Sequence, residues 1–237
     1  MIYKIIKLLL SFKTKRSIKE KLGVPGLHAS LLLLKQRGYH PEFVIDGGAY
    51  EGYWTLDFLE VFPDAKILMI EAQLSKSDKL DKIVKQYPGV EKHHCLLSDT
   101  DGRMLQFHEN ETASQVVCNE FVVTNSRASE SLDALLERRS LPSPDFIKLD
   151  VQGFELEVLK GGENALKTAE FCLLEVSLLD IGNEPLLNDV LSFMNNRGFQ
   201  AYDICQLMRR PYDNALYQID LLFIRKDSRF IADKRWN

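Results

Sequence analysis

From Leu27 to Arg225, short apolar runs of strand character alternate with segments whose apolar residues recur at helical spacing. That alternation constrains the chain more than any other feature, because parallel strands need crossover connections and helices supply them, giving βαβ units. The first helix is expected over Leu27 to Arg37, closed by Gly38, followed by a buried strand over Phe43 to Asp46 and a turn over Gly47 to Gly52. Trp54, Phe58, Leu59 and Phe62 mark a second helix that Pro63-Asp64 stops, and Lys66 to Ile70 reads as the second strand. Leu80, Ile83, Val84 and Tyr87 follow i, i+3, i+4, i+7 and predict an amphipathic helix over 76–87, ended by Pro88-Gly89. Strands are expected near Lys92 to Leu97 and over Phe146 to Leu149 and Phe171 to Leu174, with helices over Ser131 to Arg138 and Phe154 to Lys160.

After a helix marked by Leu187, Val190, Leu191 and Met194, no helical segment separates Phe199–Ile204 from Gln218–Ile224. These two strands should therefore pair antiparallel through the turn around Pro211 to Asn214. The expected architecture is one α/β domain over 27–237 with a seven-stranded, mostly parallel sheet and a C-terminal antiparallel hairpin. Residues 101–130 break the rhythm: Leu105 and Phe107 alternate like an edge strand while 110–125 is polar, so this stretch is expected to be a substrate-side insertion.

Charge separates the ends of the chain. Residues 1–22 hold seven basic side chains and one acid, leaving 23 basic against 33 acidic residues in the remainder. An acidic body excludes broad binding to nucleic acid, which needs a basic surface against phosphate. The tail, 1–26, is expected to be a basic helical extension. Its run MIYKIIKLLLSF is too short and too interrupted by Lys4 and Lys7 to span a bilayer. No small-residue cleavage site follows it, so the expected location is the cytoplasm. Two roles compete for residues 1–22: packing on the body or on a second copy of the chain, or peripheral contact with an anionic membrane surface. Packing is favoured because the lysines interrupt the apolar run. Cys95, Cys118, Cys172 and Cys205 form no CxxC pair and read as reduced, mostly buried thiols.

The polar residues carry the functional signal. Asp46, Glu71, Asp99, Asp150 and Glu175 each fall at or just after the end of a successive expected parallel strand, and open α/β sheets bind ligands at the carboxyl ends of their strands. The loop Asp46-Gly47-Gly48-Ala49-Tyr50-Glu51-Gly52 is glycine-rich and opens a helix, which permits close approach of a ligand to backbone N–H groups. Aligning Gly47 and Gly52 with the dinucleotide pattern G-x-G-x-x-G places Ala49 at the second glycine and Asp46 against the pyrophosphate. A carboxylate there repels an anionic cofactor and suits one that is cationic at that end, as S-adenosylmethionine is. Glu71, 25 residues on, can then accept hydrogen bonds from both ribose hydroxyls.

In order along the chain, VIDGGAYEG, ILMIEA, LLSDTDG, FIKLDVQGFE, LKGG, LLEVS and IDLLFIR resemble the FkbM-type methyltransferases, a Rossmann-like class I family that uses S-adenosylmethionine. The resemblance runs from about Leu31 to Arg225. Its first loop usually reads D-V-G-A-N-x-G, so Gly47 and Tyr50 are departures, and EAQ replaces the commoner E-P. By resemblance Asp46 and the loop with Gly47, Gly48, Ala49, Tyr50 and Gly52 hold the methionine portion of the cofactor, Glu71 holds the ribose, and Ser98 and Asp99 lie near the adenine. The implied acceptor is a small-molecule or glycan hydroxyl.

FIKLDVQGFE puts Lys148 and Asp150 on one side of a strand and Glu155 in the first turn of the next helix. Two readings stand side by side there: a local ion pair with a dipole-favoured acid, or Asp150 facing the transferable methyl and orienting or deprotonating the acceptor. Glu175 would share the second task, or help hold a divalent cation; two carboxylates are a thin ligand set, and metal dependence is not favoured. His93 and His94 are adjacent in a strand and point to opposite faces, so they cannot chelate together, and His108 reads as a surface loop residue. Asp220, between Ile219 and Leu221 in the last strand, is expected to pair locally or to shape the pocket floor. The competing functions are an NAD-dependent oxidoreductase, which Asp46 and the missing second glycine oppose, and a non-catalytic Rossmann-like binding module.

Overall fold

In the computed structural model, the described residues are 14, 18, 21–108, 115–117, 126–182 and 184–236. The N-terminal tail, with its packing and membrane readings, and the core of the polar 110–125 stretch lie almost wholly outside them. Among the described residues no helix is long and apolar enough to cross a membrane.

The chain builds α1 (Leu27–Gln36), β1 (Phe43–Gly47), α2 (Tyr53–Val61), β2 (Lys66–Ile70), α3 (Ser77–Gln86) and β3 (Val90–His93). After β4 (Leu96–Ser98), β5 (Met104–His108), β6 (Gln115–Val117) and β7 (Ser126–Ser131) come α4 (Leu132–Arg138), β8 (Phe146–Leu149), α5 (Glu155–Lys160) and α6 (Glu163–Thr168). The chain closes with β9 (Phe171–Ser177), α7 (Leu187–Asn196), β10 (Phe199–Arg209) and β11 (Leu216–Arg225). Seven strands form one sheet in the order β10-β11-β9-β8-β1-β2-β3, parallel except for β11, which runs antiparallel to both neighbours. The order reverses between β1 and β8, where the chain leaves one half of the sheet for the other, and this is the crevice in which such sheets bind ligands.

Successive residues of each strand point to opposite faces. Ile45, Leu68, Ile147 and Leu174 pack with Leu132, Leu135, Val158, Leu166 and Met194 from α4 to α7. Val44, Ile67, Met69 and Phe146 pack on the other face with Leu31, Leu34, Phe58, Leu80 and Ile83 from α1 to α3. Burial on both faces explains why the central strands read as unbroken apolar runs.

Two expectations need correction. The single strand expected over Lys92 to Leu97 is two strands: β3 pairs with β2, and the chain then crosses at His94-Cys95 into β4, which pairs with β7. The 101–130 stretch is not a lone edge strand; β5, β6 and β7 join β4 in a separate four-stranded sheet, β4-β7-β5-β6. Ser131 caps α4, its hydroxyl accepting from the Ala134 amide as N-cap serines do.

Candidate active site

At the crevice the loop after β1 and the loop after β8 come into contact. Gly48 has φ +71°, and a Cβ there would stand 1.9 Å from the Asp150 carbonyl oxygen, so no other residue fits without moving one of the loops. Tyr50 and Gln152 also hold left-handed backbone, at φ 50° and 54°, uncommon for residues with side chains and found here on each of the two facing loops.

Behind the first loop lies a buried charge cluster. Asp46 and Lys148 are direct register partners across β1 and β8. The Lys148 ammonium donates to Asp46 Oδ1 at 3.0 Å, to the Gly47 carbonyl at 3.2 Å and to the Gly48 carbonyl at 2.9 Å. Thr55 Oγ1 donates to the other Asp46 oxygen at 2.7 Å. Burial alone would lower the Lys148 pKa, but the Asp46 and Asp150 charges outweigh it and hold it above its ordinary value. With its three hydrogens committed, Lys148 anchors the loop from behind. Asp46, with no exposed surface, likewise supports the loop from behind and does not line either cavity described below.

The loop's own amides are also committed. Gly48 and Ala49 N–H donate to the Ile70 carbonyl, Tyr50 N–H to Glu71 Oε2 at 2.6 Å, and Gly52 N–H to the Ala49 carbonyl. A pyrophosphate would need such donors free. The expectation of ligand contact with these N–H groups is therefore corrected at these four amides. Gly47 and Gly52 serve packing: a Cβ at Gly47 would meet Leu149 Cδ2 at 2.6 Å, and one at Gly52 would meet Ile83 Cδ1 at 2.2 Å.

Two cavities flank the loop. The first, about 160 Å³, is lined by Gly48, Tyr50, Glu71, Gln73 and Gln152, with apolar walls from Ile70, Leu96, Leu97, Phe107 and Phe154. Glu71 is buried at its wall, Oε1 accepting from the Gln73 amide at 2.7 Å; burial raises its pKa against the lowering effect of its two amide partners. No Lys or Arg is among the described residues lining this cavity, so those residues offer an anionic ligand no counter-charge. Arg127, nearby, donates to the Ala72 carbonyl and lies over the Phe107 ring. A purine between apolar walls, a ribose diol on Glu71 and a cationic amino-acid end against acidic and carbonyl oxygens would be accommodated by this donor and acceptor set. Ser98 and Asp99, expected beside the adenine, do not line the cavity: Ser98 Oγ donates to Asp99, which pairs with Arg103 at 3.0 Å, and Cys95 to Leu97 form the wall instead.

The second cavity, about 290 Å³, is lined by Ala49, Tyr53, Trp54, Asp57, Lys148, Glu175, Gln206 and Asp220, among others. Gly48, Tyr50 and Asp150 belong to both linings, so Asp150 stands at the junction. Gln152 Nε2 donates to Asp150 Oδ1 at 2.9 Å and to Glu175 Oε2 at 3.0 Å, placing a donor between the two carboxylates expected to share a role. Gln218 Nε2 adds a second donor to the same Glu175 oxygen at 3.2 Å. Glu175 lies within β9 and faces Asp220 of β11 as its register partner. Burial, then the charges of Asp150, Glu155 and Asp220, push the Glu175 pKa well above the carboxylate range. Burial and the Asp150 charge push Asp220 up to about 6. Burial pushes Glu155 to about 7, against the Val151 and Gly153 amides that its carboxylate accepts. Gln152, Gln218 and the aromatic wall of Tyr53 and Trp54 were not singled out from the sequence; Gln152 lay in plain view inside FIKLDVQGFE.

A doubly wound sheet with a glycine-bearing loop at the switch point and an acid directly after the second strand defines a Rossmann-like protein of the class I methyltransferase fold. This chain belongs to the FkbM methyltransferase family, its residues 46–201 matching the Methyltransferase FkbM domain. A 44-residue stretch is 48% identical to the hexuronic acid methyltransferase AglP of Haloferax volcanii, covering 19% of this chain and 18% of that protein. The FkbM methyltransferase structure from Methylobacillus flagellatus KT is similar over 76% of this chain and 43% of its own, at 18% identity and a TM-score of 0.49. Magnesium protoporphyrin IX methyltransferase from Synechocystis PCC 6803, solved with bound SAM, is similar over 91% of this chain and 85% of its own, at 11% identity and a TM-score of 0.49. The chain thus spans less than half the length of both FkbM and AglP proteins it matches.

Proposed function

We propose that this methyltransferase takes its methyl from S-adenosylmethionine and delivers it to a hydroxyl of a neutral, polyhydroxylated acceptor, a sugar or a natural product. The observation that carries the reading is Asp150 at the junction of a cavity suited to the cofactor and a second, acid-rich cavity. S-adenosylmethionine supplies an activated methyl on a sulfonium, so an oxygen–carbon bond forms as a sulfur–carbon bond breaks. The chain's residues position the acceptor and take its proton. Asp150, its side chain 42% exposed and its Oδ1 fixed by Gln152, accepts the hydroxyl proton. Glu175 keeps its own proton at neutral pH and can donate to a second acceptor oxygen, while Tyr53 and Trp54 offer apolar faces to a sugar ring.

The local likeness to AglP supports a sugar acceptor. The charge of the second cavity supports a neutral one: Asp57, Asp150 and Asp220 line it beside the protonated Glu175, and the one cation among the described lining residues, Lys148, is committed to Asp46 and two carbonyls. A uronate or phosphate entering there would meet carboxylates with no free counter-charge among those lining residues. The test is transfer of isotopically labelled methyl to a panel in which each neutral hexoside is paired with its uronic acid. Label on neutral hydroxyls is expected. Label confined to the uronic acids would overturn the neutral-acceptor assignment, and label on amines alone would overturn oxygen transfer.

A further inference from the structure

The crossing from β3 to β4 carries a second cluster that methyl transfer does not use. His93 ends β3 in the seven-stranded sheet, Cys95 lies in the two-residue link to β4, and Glu130 lies on β7 of the small sheet. His93 and Cys95 are two residues apart, across the link from β3 to β4. One ligand atom from each of the three, imidazole nitrogen, thiol sulfur and carboxylate oxygen, lies within 4.8 Å of the other two. The His93 Nε2 is 3.2 Å from Glu130 Oε2, the separation of two donors on one metal ion. His93 and Glu130 keep 28% and 27% of their side-chain surface, which leaves an ion a way in, while the free Cys95 thiol is the inner member of the group.

We propose that His93, Cys95 and Glu130 bind a divalent cation of the zinc class, which ties the seven-stranded sheet to the small sheet where the chain passes between them. A mixed sulfur, nitrogen and oxygen set suits zinc over magnesium or calcium, which take oxygen ligands. Three protein ligands leave the fourth tetrahedral position to water. Arg138 is the competing cation at this place: it pairs with Glu130 and also with Asp101 at 2.6 Å. It keeps the Asp101 partner when the ion takes Glu130. Coordination requires the thiolate, so binding expels the Cys95 proton to solvent and strengthens as pH rises. Because Cys95 also lines the first cavity, the ion would stiffen that wall without entering the reaction.

The test uses the full chain, stripped with a chelator and titrated with zinc alone by calorimetry and with cobalt by absorption spectroscopy. One equivalent of zinc, a thiolate-to-cobalt charge-transfer band and a higher melting temperature with zinc are expected. Cys95→Ser and His93→Ala should each abolish the band and weaken zinc binding by about 100-fold or more, since even outer-shell changes cost 10–100-fold at metal sites. Circular dichroism of the metal-free variants matching metal-free wild type shows that the loss is not misfolding. Sub-stoichiometric binding by wild type would overturn the site. So would a band that survives in Cys95→Ser, because Cys118, Cys172 or Cys205 would then supply the sulfur.

Discussion

Two cross-strand pairs in the seven-stranded sheet have opposite electrostatics. Asp46 and Lys148, partners across β1 and β8, are of opposite sign, and the pair is closed: each polar atom of the pair has a protein partner within 3.2 Å. Glu175 and Asp220, partners across β9 and β11, are two acids that repel when both are ionised, so Glu175 keeps its proton, and among the described residues Gln152 and Gln218 donate to it. Like charges directly opposed destabilise a sheet. The first pair holds the loop after β1 in one shape; the second keeps an electrostatic deficit in the second cavity.

The largest expected effect comes from breaking the closed pair. Lys148→Met strands the buried Asp46 carboxylate and should cost about 3–5 kcal/mol of stability, read from urea unfolding midpoints. A loss below about 1 kcal/mol would show that Asp46 is neutral or hydrated and that the loop is held otherwise. Next, Asp150→Asn should reduce turnover by about 10²-fold or more while S-adenosylmethionine affinity stays within a few-fold, measured by steady-state kinetics and calorimetry. Equal losses in both would move Asp150 from the acceptor side to the cofactor side.

Glu71→Gln should weaken cofactor binding by about 1.5–3 kcal/mol through the loss of a charged partner for the ribose hydroxyls. Unchanged affinity in a folded variant would remove Glu71 from that role. The last effect, confined to a pH interval, belongs to the acidic pair across β9 and β11. Because the folded Asp220 carboxyl titrates at about 6 against an ordinary 3.8, the folded state binds its proton more tightly, so stability is lost as pH rises between those values. Asp220→Asn removes that loss, so its stability advantage over wild type should open across that interval and stay level above it, at up to about 3 kcal/mol for a shift of this size. A gap that does not change with pH would contradict the deficit.

The contrast between the pairs was only half legible in the sequence. The strands Lys66–Ile70 and Phe146–Leu149 were readable to the residue because both faces are covered and the apolar runs end at Glu71 and Asp150. The break of β3 from β4 was not, because the chain changes sheets at His94-Cys95 with no glycine or proline to mark it. β10 runs on to Arg209, past the expected end at Ile204, because its mostly exposed residues after Cys205 continue to pair with β11 through register shifts. In the site, Asp46, Glu71, Asp150 and Glu175 could be picked out by their position after apolar runs. Which partner each would take depends on register: Lys148 was expected beside Asp150, two residues away, yet its ammonium is 3.9 Å from Asp150 and 3.0 Å from Asp46 across the strand boundary. The membership of Gln152 and Gln218 follows from left-handed backbone at one and β9–β11 pairing at the other, neither of which local spacing encodes.

The central claim is that the cavity beside Glu71 takes a cofactor that is cationic and phosphate-free. Calorimetric titration of the wild-type chain with S-adenosylmethionine, S-adenosylhomocysteine and NAD tests it directly. Saturable one-to-one binding of the first two, with NAD weaker by at least about tenfold, that is about 1.4 kcal/mol, is the predicted result. Preferential binding of NAD would contradict it, since the committed Gly48, Ala49, Tyr50 and Gly52 amides and the described lining residues, which hold no Lys or Arg, would then have failed to discriminate against a pyrophosphate.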